Sequence, residues 1–208
     1  MSEGKLVHLV DDDDSVRRSV GFMLKTSGYR VKSYGSGTEL LEEARRLEPG
    51  CVLLDIRMPN IDGLEVQQQL KSLGVSLPVI VMTGHGDIPL SVRAMKAGAI
   101  DFIEKPFEKA ALLSAIEDGF STLSQSSSGR EKSKKASVRL QVLTPRERDV
   151  LDGLAKGLPN KTIAYDLGIS PRTVEIHRAN LMSKLEVRSL SEALRLAFAA
   201  EEGDGRAE

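Results

Sequence analysis

Five apolar runs alternate with amphipathic segments along the first part of the chain. The runs occupy residues 5–10, 30–34, 51–55, 78–82 and 99–103. The central run is apolar without alternation, which is typical of a strand buried on both faces of a parallel sheet. Helical spacing of apolar residues marks the segments 15–27, 38–47, 64–73, 90–97 and 108–123. This (βα)5 alternation predicts an α/β domain with a flavodoxin-like parallel sheet of strand order 2-1-3-4-5.

Polar side chains follow four of these runs, at the point where each strand ends. The first run is followed by Asp11–Asp14, the third ends in Asp55, and the last two are followed by Thr83 and Lys105. The carboxyl ends of strands in an open α/β sheet form the crevice where ligands bind, so these groups are candidate site residues. Carboxylates held close together cannot all stay ionised without a cation, and oxygen-only clusters bind Mg²⁺. The set suits formation of an aspartyl phosphate at Asp55.

Helical signals replace this alternation in the last third of the chain. Residues 124–138 are rich in Ser, Lys and Gly with almost nothing to bury, which predicts an interdomain linker, part of which could extend the preceding helix. A helix-turn-helix pattern follows, because a capping box, a short helix, a glycine turn and a second N-cap occur in order. They lie at Thr144–Glu147, residues 161–167, Gly168 and Ser170.

The helix after Ser170 has two different faces. At 100° per residue, Val174, Leu181 and Leu185 fall on one side and form the predicted core stripe. The opposite side mixes polar residues with Ile176 and Ala179. This mixture suits insertion into a DNA major groove, where apolar groups meet thymine methyls. A helical packing domain without a nucleic-acid role is the alternative.

Charge divides the chain into an acidic and a basic part. Residues 1–123 carry 14 Lys and Arg against 18 Asp and Glu, a net −4, whereas residues 124–208 carry 15 against 12, a net +3. Without the acidic tail 201–208, the second part reaches +6. We therefore expect a cation-binding half joined to an anion-binding half. With no apolar run of membrane-spanning length and no signal-peptide core, we expect a cytoplasmic protein without a membrane partner.

Five short features occur in order along residues 5–120: an acid pair after the first strand, the central Asp55, the motif Met-Pro-x-x-Asp-Gly, then Thr83 and Lys-Pro-Phe. In these features and their spacing, residues 5–120 resemble the receiver domain of bacterial two-component response regulators. The phrases Met-Thr-Gly-His-Gly-Asp and Ala-Met-Lys-Ala-Gly-Ala are most similar to the FixJ subfamily.

The last third of the chain contains the stretches Leu-Thr-Pro-Arg-Glu-Arg, Asn-Lys-Thr-Ile-Ala and Ile-Ser-Pro-Arg-Thr-Val-Glu-Ile-His. In these stretches, residues 142–200 resemble the LuxR/NarL/FixJ-type output domain. The resemblance implies a fourth helix over residues 189–199, which commonly mediates dimerisation in that family. We therefore predict a receiver domain at 1–123, a linker at 124–141 and a small all-α helix-turn-helix DNA-binding domain at 142–208.

The receiver resemblance assigns a role to the strand-end residues. It implies that Asp55 accepts a phosphoryl group from a sensor histidine kinase. The implied Mg²⁺ site consists of Asp12, Asp55 and the backbone carbonyl of Arg57, with Asp11 acting on the ion through water. Thr83 and Lys105 are expected to bind the phosphoryl oxygens, and Phe102 to fill the space left when Thr83 moves inward. Arg57 and His85 flank the path of water to the phosphoryl group and are expected to tune its hydrolysis.

The output-domain resemblance implies DNA contacts from two helices. The predicted contact residues are Lys161, Thr162, Arg172, Thr173, Glu175, Ile176, Ala179 and Asn180. Some relatives place Lys at the positions of Glu175 and Ala179, so we expect less affinity from that face here. The expected partners are the kinase, double-stranded DNA and RNA polymerase, with a homodimer when phosphorylated.

Two other functions stay open on sequence alone. Haloacid-dehalogenase-type phosphatases also form an aspartyl phosphate, but they place a second Asp two residues after the nucleophile, where this chain has Arg57. A receiver whose output domain binds protein or RNA is the other. We expect no enzyme activity beyond slow self-phosphorylation from small phosphodonors and autodephosphorylation.

Overall fold

The computed structural model describes residues 4–84, 88–124 and 129–204. Contacts divide the chain into two compact units, Met1–Gly86 with Ala97–Gln125 and Asp87–Lys96 with Ser126–Glu208. Each unit has its own set of buried apolar residues. Within the described ranges, no helix is both long and apolar enough to cross a lipid bilayer.

The first unit is built on a five-stranded parallel sheet of order β2-β1-β3-β4-β5. The strands are β1 (Leu6–Val10), β2 (Arg30–Tyr34), β3 (Cys51–Asp55), β4 (Val79–Gly84) and β5 (Asp101–Lys105). Strand bounds lie within about a residue of the apolar runs for most strands, and the order is the flavodoxin-like one, so the predicted fold is confirmed. Because β1 and β3 are buried at every position, they form the centre of the sheet.

Helices connect these strands, and three of them start at a side chain that caps their first turn. The helices are α1 (Asp14–Thr26), α2 (Gly37–Glu42), α3 (Gly63–Ser72), α4 (Ile88–Lys96) and α5 (Lys109–Ser124), of which α4 groups with the second unit. Asp13, Ser36 and Asp62 cap α1, α2 and α3 by accepting hydrogen bonds from backbone amides. The helix predicted over 38–47 is split, because the chain tightens into a 3-10 turn at Ala44–Arg46.

One layer of the core of the first unit lies between the sheet and the helices α1 and α5, and α2 and α3 bury further apolar residues such as Leu40 and Val66. Leu9, Leu53 and Met82 of the central strands are fully buried, and Leu24 of α1 and Ile116 of α5 belong to the same cluster. Close packing of this kind leaves no room for uncompensated polar groups inside the layer. The buried His8 in the middle of β1 is compensated by contacts with the Tyr34 hydroxyl and the Glu48 carbonyl, whereas the acids and Lys105 lie at the ends of the strands.

The second unit contains five consecutive helices after α5. They are α6 (Gly129–Leu140), α7 (Pro145–Ala155), α8 (Asn160–Leu167), α9 (Pro171–Lys184) and α10 (Leu190–Asp204). Thr144 and Glu147 form the predicted capping box at the start of α7. Gly168 ends α8 in the left-handed conformation, and Ser170 caps α9. The helix-turn-helix pattern predicted from the sequence is therefore present.

Helix α6 lies inside the segment that was predicted to be a linker with almost nothing to bury. Two of its apolar residues, Ala136 and Leu140, are each 2% exposed, and α6 packs along α10. They are four residues apart, so they share one face of the helix. Arg139 of the same helix donates a hydrogen bond to the Leu185 carbonyl at the end of α9. The expectation of almost nothing to bury over residues 124–138 is thus wrong for Ala136, and Leu140 lies just beyond that stretch.

Candidate functional site

Asp55 is the last residue of β3 and is 8% exposed. Strand β3 lies between β1 and β4, and the parallel register places Asp55 beside Met82. Gly63, the first residue of α3, lies against the same strand end: a Cβ atom there would be 2.3 Å from the Asp55 carbonyl oxygen. Only glycine permits this approach. The carboxylate therefore lies at the carboxyl edge of the sheet, where the sequence predicted it.

Three carboxylates meet at this edge. Asp11, Asp12 and Asp55 each offer an oxygen, and these atoms lie within 4.8 Å of one another. Asp11 is fully buried, whereas Asp12 is exposed to solvent. A set of carboxylate oxygens with one side open to water suits Mg²⁺, which prefers oxygen ligands and retains several waters. The fourth expected ligand is the carbonyl of Arg57, an exposed residue two positions beyond Asp55.

Lys105 joins two of these acids. Its Nζ lies 2.7 Å from Oδ2 of Asp11 and 3.1 Å from Oδ2 of Asp55. Burial disfavours the charged amine, but the hydrogen bond to Asp11 and the charges of both carboxylates outweigh it and raise the pKa of Lys105. The amine therefore stays protonated at neutral pH. It is placed to interact with any oxygen attached to Asp55.

The surroundings of the Asp55 carboxyl disfavour its ionised form on balance. Burial raises the pKa of Asp55 above its usual value, and the Asp11 carboxylate adds to this. Lys105 and the backbone N–H of Arg57 act in the opposite direction, since both favour the ionised form. One lysine does not fully offset the crowding, so a bound divalent cation would stabilise the ionised cluster.

Thr83 and Phe102 lie on the two strands beyond Asp55. Thr83 is 1% exposed near the end of β4, and its hydroxyl makes a long contact of 3.4 Å with the Gly84 carbonyl. A contact of that length is weak and is readily exchanged for a better acceptor. Phe102 is half-buried on β5, in register with Val81. The prediction for His85 falls outside the described residues.

The aspartate run after β1 contains residues with different tasks, which sequence inspection did not separate. Asp13 caps α1, accepting from the amides of Ser15 at 2.7 Å and Val16 at 3.3 Å. These hydrogen bonds lower the pKa of Asp13. Asp14 begins the helix and pairs with Arg17 and Arg18. The available signal was an Asp just before a helical period, the usual N-cap pattern.

Helix α9 presents the predicted outward face to solvent. Val174 and Leu181 are fully buried and Leu185 is 2% exposed, which confirms the core stripe. Ile176 on the opposite side is 50% exposed. The other predicted contact residues at this surface are exposed apart from the half-buried Thr173: Lys161, Thr162, Arg172, Glu175, Ala179 and Asn180. Arg172 pairs with Glu175 at 2.8 Å, an exposed ion pair that a phosphate can displace at little cost.

Two pairs that hold α9 in place were not identified from the sequence. Arg178 donates to the side-chain oxygen of Asn160, the first residue of α8, at 3.0 Å. Lys184 lies 2.8 Å from Glu147, a carboxylate that is only 3% exposed and also accepts from the Thr144 amide. Glu147 was interpreted only as a capping residue. Contacts between residues this far apart in sequence leave no periodic signal.

Two family models match this chain, one over the unit with the acidic cluster and one over the helix-turn-helix region. The model of the response regulator receiver domain matches residues 7–117, and that of the bacterial regulatory proteins of the luxR family matches residues 141–197. The receiver match includes the acidic cluster and Lys105, and the second match includes α7, α8 and α9. The two alternatives left open by the sequence, a haloacid-dehalogenase-type phosphatase and an output domain that binds protein or RNA, gain no support from these matches.

Two bacterial regulatory proteins are similar to nearly the whole chain. The transcriptional regulatory protein FixJ of Azorhizobium caulinodans is 48% identical over 96% of this chain and 95% of its own length. The tetrathionate response regulatory protein TtrR of Salmonella typhimurium is 41% identical over 91% of this chain and 90% of its own.

Solved structures agree with the sequence comparison. Full-length FixJ from B. japonicum has a TM-score of 0.59 at 40% identity, covering 97% of this chain and 99% of that one. The response regulator StyR has a TM-score of 0.55 at 43% identity, covering 93% and 98%. The chain therefore belongs to the FixJ subfamily of two-component response regulators, transcription regulators in which a phosphorylated receiver domain is joined to a LuxR-type DNA-binding domain.

Proposed function

We propose that Asp55 is the phosphoryl acceptor of this regulator and that a sensor histidine kinase is the donor. The observation that carries the proposal is the position of Lys105, within about hydrogen-bond distance of both Asp11 and Asp55 at the buried end of β3. An oxygen of Asp55 attacks the phosphorus of a phosphohistidine in line, forming a P–O bond while the P–N bond to imidazole breaks. The protein supplies mainly position and charge for such a transfer.

Asp11, Asp12, Asp55 and the Arg57 carbonyl are the groups that would hold Mg²⁺. When bound, the ion supplies positive charge that neutralises the acids and the incoming phosphoryl oxygens. Asp11 is held by Lys105 on one carboxylate oxygen and by the Asp13 amide, at 2.9 Å, on the other. Its place in the site is therefore fixed before any ligand arrives. Of the three carboxylates, Asp12 is the one exposed to solvent.

Phosphorylation is proposed to act through Thr83 and Phe102. A phosphoryl group adds about −1.5 to −2 charge and strong acceptor oxygens. Such an acceptor beside Asp55 is expected to draw the Thr83 hydroxyl away from its long contact with Gly84. The half-buried Phe102 ring then fills the space that Thr83 leaves. The surface around α4, β5 and α5 is the proposed readout of this change and the proposed face for homodimer formation.

The output domain is proposed to bind double-stranded DNA through α9 and the start of α8. Lys161, Thr162, Arg172 and Thr173 are the proposed phosphate-side contacts. Glu175, Ile176, Ala179 and Asn180 are the proposed groove-facing residues. A dimer would place two such helices on half-sites about one helical turn apart. RNA polymerase is the proposed further partner, as for a regulator of transcription.

Asp55→Asn provides the direct test. The full chain is incubated with acetyl phosphate and Mg²⁺, and intact mass is measured together with retention of duplex DNA and of RNA on native gels. We expect one added phosphoryl group in the wild type, none in Asp55→Asn, and stronger DNA retention only for the modified protein. Asp152→Asn, which removes an exposed carboxylate from α7, is the matched control. Equal modification of Asp55→Asn, or preference for RNA, would contradict the proposal.

A further inference from the structure

Arg17, in the first turn of α1, contacts two residues of the aspartate run that follows β1, Asp11 and Asp14. One guanidinium nitrogen donates to the Asp11 backbone carbonyl at 2.6 Å, and the other pairs with the Asp14 carboxylate. Its side chain is 19% exposed, whereas that of the adjacent Arg18 is 72% exposed. Arg18 also pairs with Asp14, at 2.9 Å, but the hydrogen bond to the Asp11 carbonyl comes from Arg17.

The Arg17 guanidinium is also enclosed by the loop that follows β2. A Cβ atom placed on Gly35 would lie 3.8 Å from its Cζ and Nη1 atoms. The Gly35 amide donates to the Glu39 carboxylate at 2.6 Å, which fixes that loop at the start of α2. The guanidinium is therefore located by three segments: the end of β1, the first turn of α1 and the loop before α2.

The contact with Arg17 completes the anchoring of Asp11. The Asp11 amide donates to the Tyr34 carbonyl at 3.3 Å. The Asp11 carboxylate oxygens accept from the Asp13 amide and from Lys105. The carbonyl is the remaining polar group, and it belongs to the peptide unit that joins Asp11 to Asp12. Because a peptide unit is planar, fixing that carbonyl also fixes the direction in which Asp12 leaves the strand.

We propose that Arg17 is a positioning residue for the divalent cation, holding the Asp11–Asp12 peptide so that the Asp12 carboxylate faces Asp55. The inference rests on the proposed Mg²⁺ site and adds a residue that does not touch the ion. Groups that orient metal ligands typically change metal affinity by about 10–100-fold when they are removed.

The sign of the effect separates positioning from simple electrostatics. Arg17 is a cation close to the acids, so its charge alone disfavours a second cation. If charge were its only influence, Arg17→Ala would bind Mg²⁺ more tightly than the wild type, as Arg18→Ala is expected to do slightly. A positioning role predicts the opposite, because the Asp12 carboxylate loses its fixed direction.

The experiment is calorimetric titration of the full-length protein with MgCl₂, without a phosphodonor. We expect Kd to rise about tenfold in Arg17→Ala and to stay within about twofold of the wild type in Arg18→Ala. Arg17→Lys keeps the charge but cannot contact the Asp11 carbonyl and Asp14 together, so its Kd is expected to fall between those of Arg17→Ala and the wild type. An Arg17→Ala protein that binds Mg²⁺ as tightly as Arg18→Ala would overturn the inference.

A kinetic measurement distinguishes positioning from general damage to the fold. In phosphorylation by acetyl phosphate, Arg17→Ala should raise the Mg²⁺ concentration for half-maximal rate about tenfold while the rate at saturating Mg²⁺ stays near that of the wild type. A lower plateau with an unchanged half-maximal concentration would overturn the inference. Failure of the wild type to be modified at Asp55 would instead contradict the proposed function. Arg17→Lys serves both measurements if thermal melting shows Arg17→Ala to be unfolded.

Discussion

The acidic site and the outward face of α9 are built in different ways. The acidic site brings together residues from separate strands, and Lys105 reaches Asp11 across 94 positions of sequence. Two of its three acids are buried, with Asp11 fully enclosed and Asp55 8% exposed, whereas Asp12 faces solvent. The face of α9 comes from one helix, and its ion pair Arg172–Glu175 joins residues three positions apart.

This difference has a functional consequence. In a buried cluster the charged groups are held in place and interact strongly. Removing one of them therefore changes the interaction energies of all the others. The side chains on an exposed helical face are nearly independent of one another. The effects of single substitutions there on DNA binding should therefore be separable.

Removal of the Lys105 amine should have the largest effect. Lys105→Met leaves Asp11 and Asp55 without their shared cation and removes a donor aimed at the incoming phosphoryl oxygens. Loss of one such preorganised donor typically slows a reaction by about 10²–10³-fold. We expect a decrease of about a hundredfold in the rate of phosphorylation by acetyl phosphate at saturating Mg²⁺.

Lys109→Met is the control for this measurement, because Lys109 is an exposed residue at the start of α5. It should leave the rate unchanged. A Lys105→Met rate within threefold of the wild type would show that the cluster is less interdependent than the structure indicates.

Substitutions on the DNA-binding side should separate into two groups. Lys161→Ala and Arg172→Ala should weaken binding to every duplex and reduce the salt slope by about 1 each. Ile176→Ser and Asn180→Ala should instead relax sequence preference, by about 1–3 kcal/mol. Fluorescence anisotropy with operator and random duplexes at several salt concentrations measures both. Uniform losses from Ile176→Ser or Asn180→Ala on the two duplexes would remove the contrast between the groups.

The pH dependence of stability should report the crowding at Asp55. The folded-state pKa of Asp55 is raised by burial, so the wild type loses stability as pH rises from the unfolded pKa through the folded one. Asp55→Asn does not titrate and escapes this loss. Relative to the wild type, its free energy of unfolding should be higher at pH 7 than at pH 3 by on the order of 1 kcal/mol, a typical effect of one substitution.

Urea denaturation of the metal-free protein at both pH values measures this difference. Asp152→Asn again provides the control, since its carboxylate is exposed on α7. A relative stability of Asp55→Asn that is the same at pH 3 and pH 7, or lower at pH 7, would contradict the electrostatic account of the site.

The smallest effect is expected at the residues proposed to tune hydrolysis. Arg57 offers hydrogen-bond donors and no acceptor, so it can shield the phosphoryl group without orienting water. A neutral histidine can accept a proton from water. Arg57→Ala should therefore shorten the lifetime of the phosphoryl group and His85→Ala should lengthen it. Decay rates of the phosphorylated protein from pH 5.5 to 8 would decide, and changes below about twofold, or roughly 0.4 kcal/mol, would leave both without a role.

Features that depend on local periodicity were predictable from the sequence. The strands and their order followed from apolar runs, and the buried stripe Val174, Leu181 and Leu185 followed from helical spacing. Asp55 was found because its strand ends in a carboxylate at the edge where parallel strands open. The prediction that these acids come together is confirmed by the distances at Asp11, Asp12 and Asp55.

Features that depend on long-range pairing were not predictable in the same way. The pairing of Lys184 with Glu147, and the contact of Arg17 with a backbone carbonyl, require the fold to be known before the partners can be named. Helix α6 was missed because its few apolar residues are diluted by Lys, Arg and Ser, although two of them lie on one face. Its buried face becomes apparent only when α10 is placed beside it.

Glu147 links the start of α7 to the end of α9, because the same carboxylate caps one helix and holds Lys184 of the other. The stability of α7 and the position of α9 therefore depend on the same side chain and cannot be changed independently at this position. A change of DNA sequence preference should therefore be reached more easily by exchanging exposed residues on α9 than by tilting the helix. Variants of this output domain with new preferences should keep Glu147 and Lys184 and differ in the exposed side chains of α9.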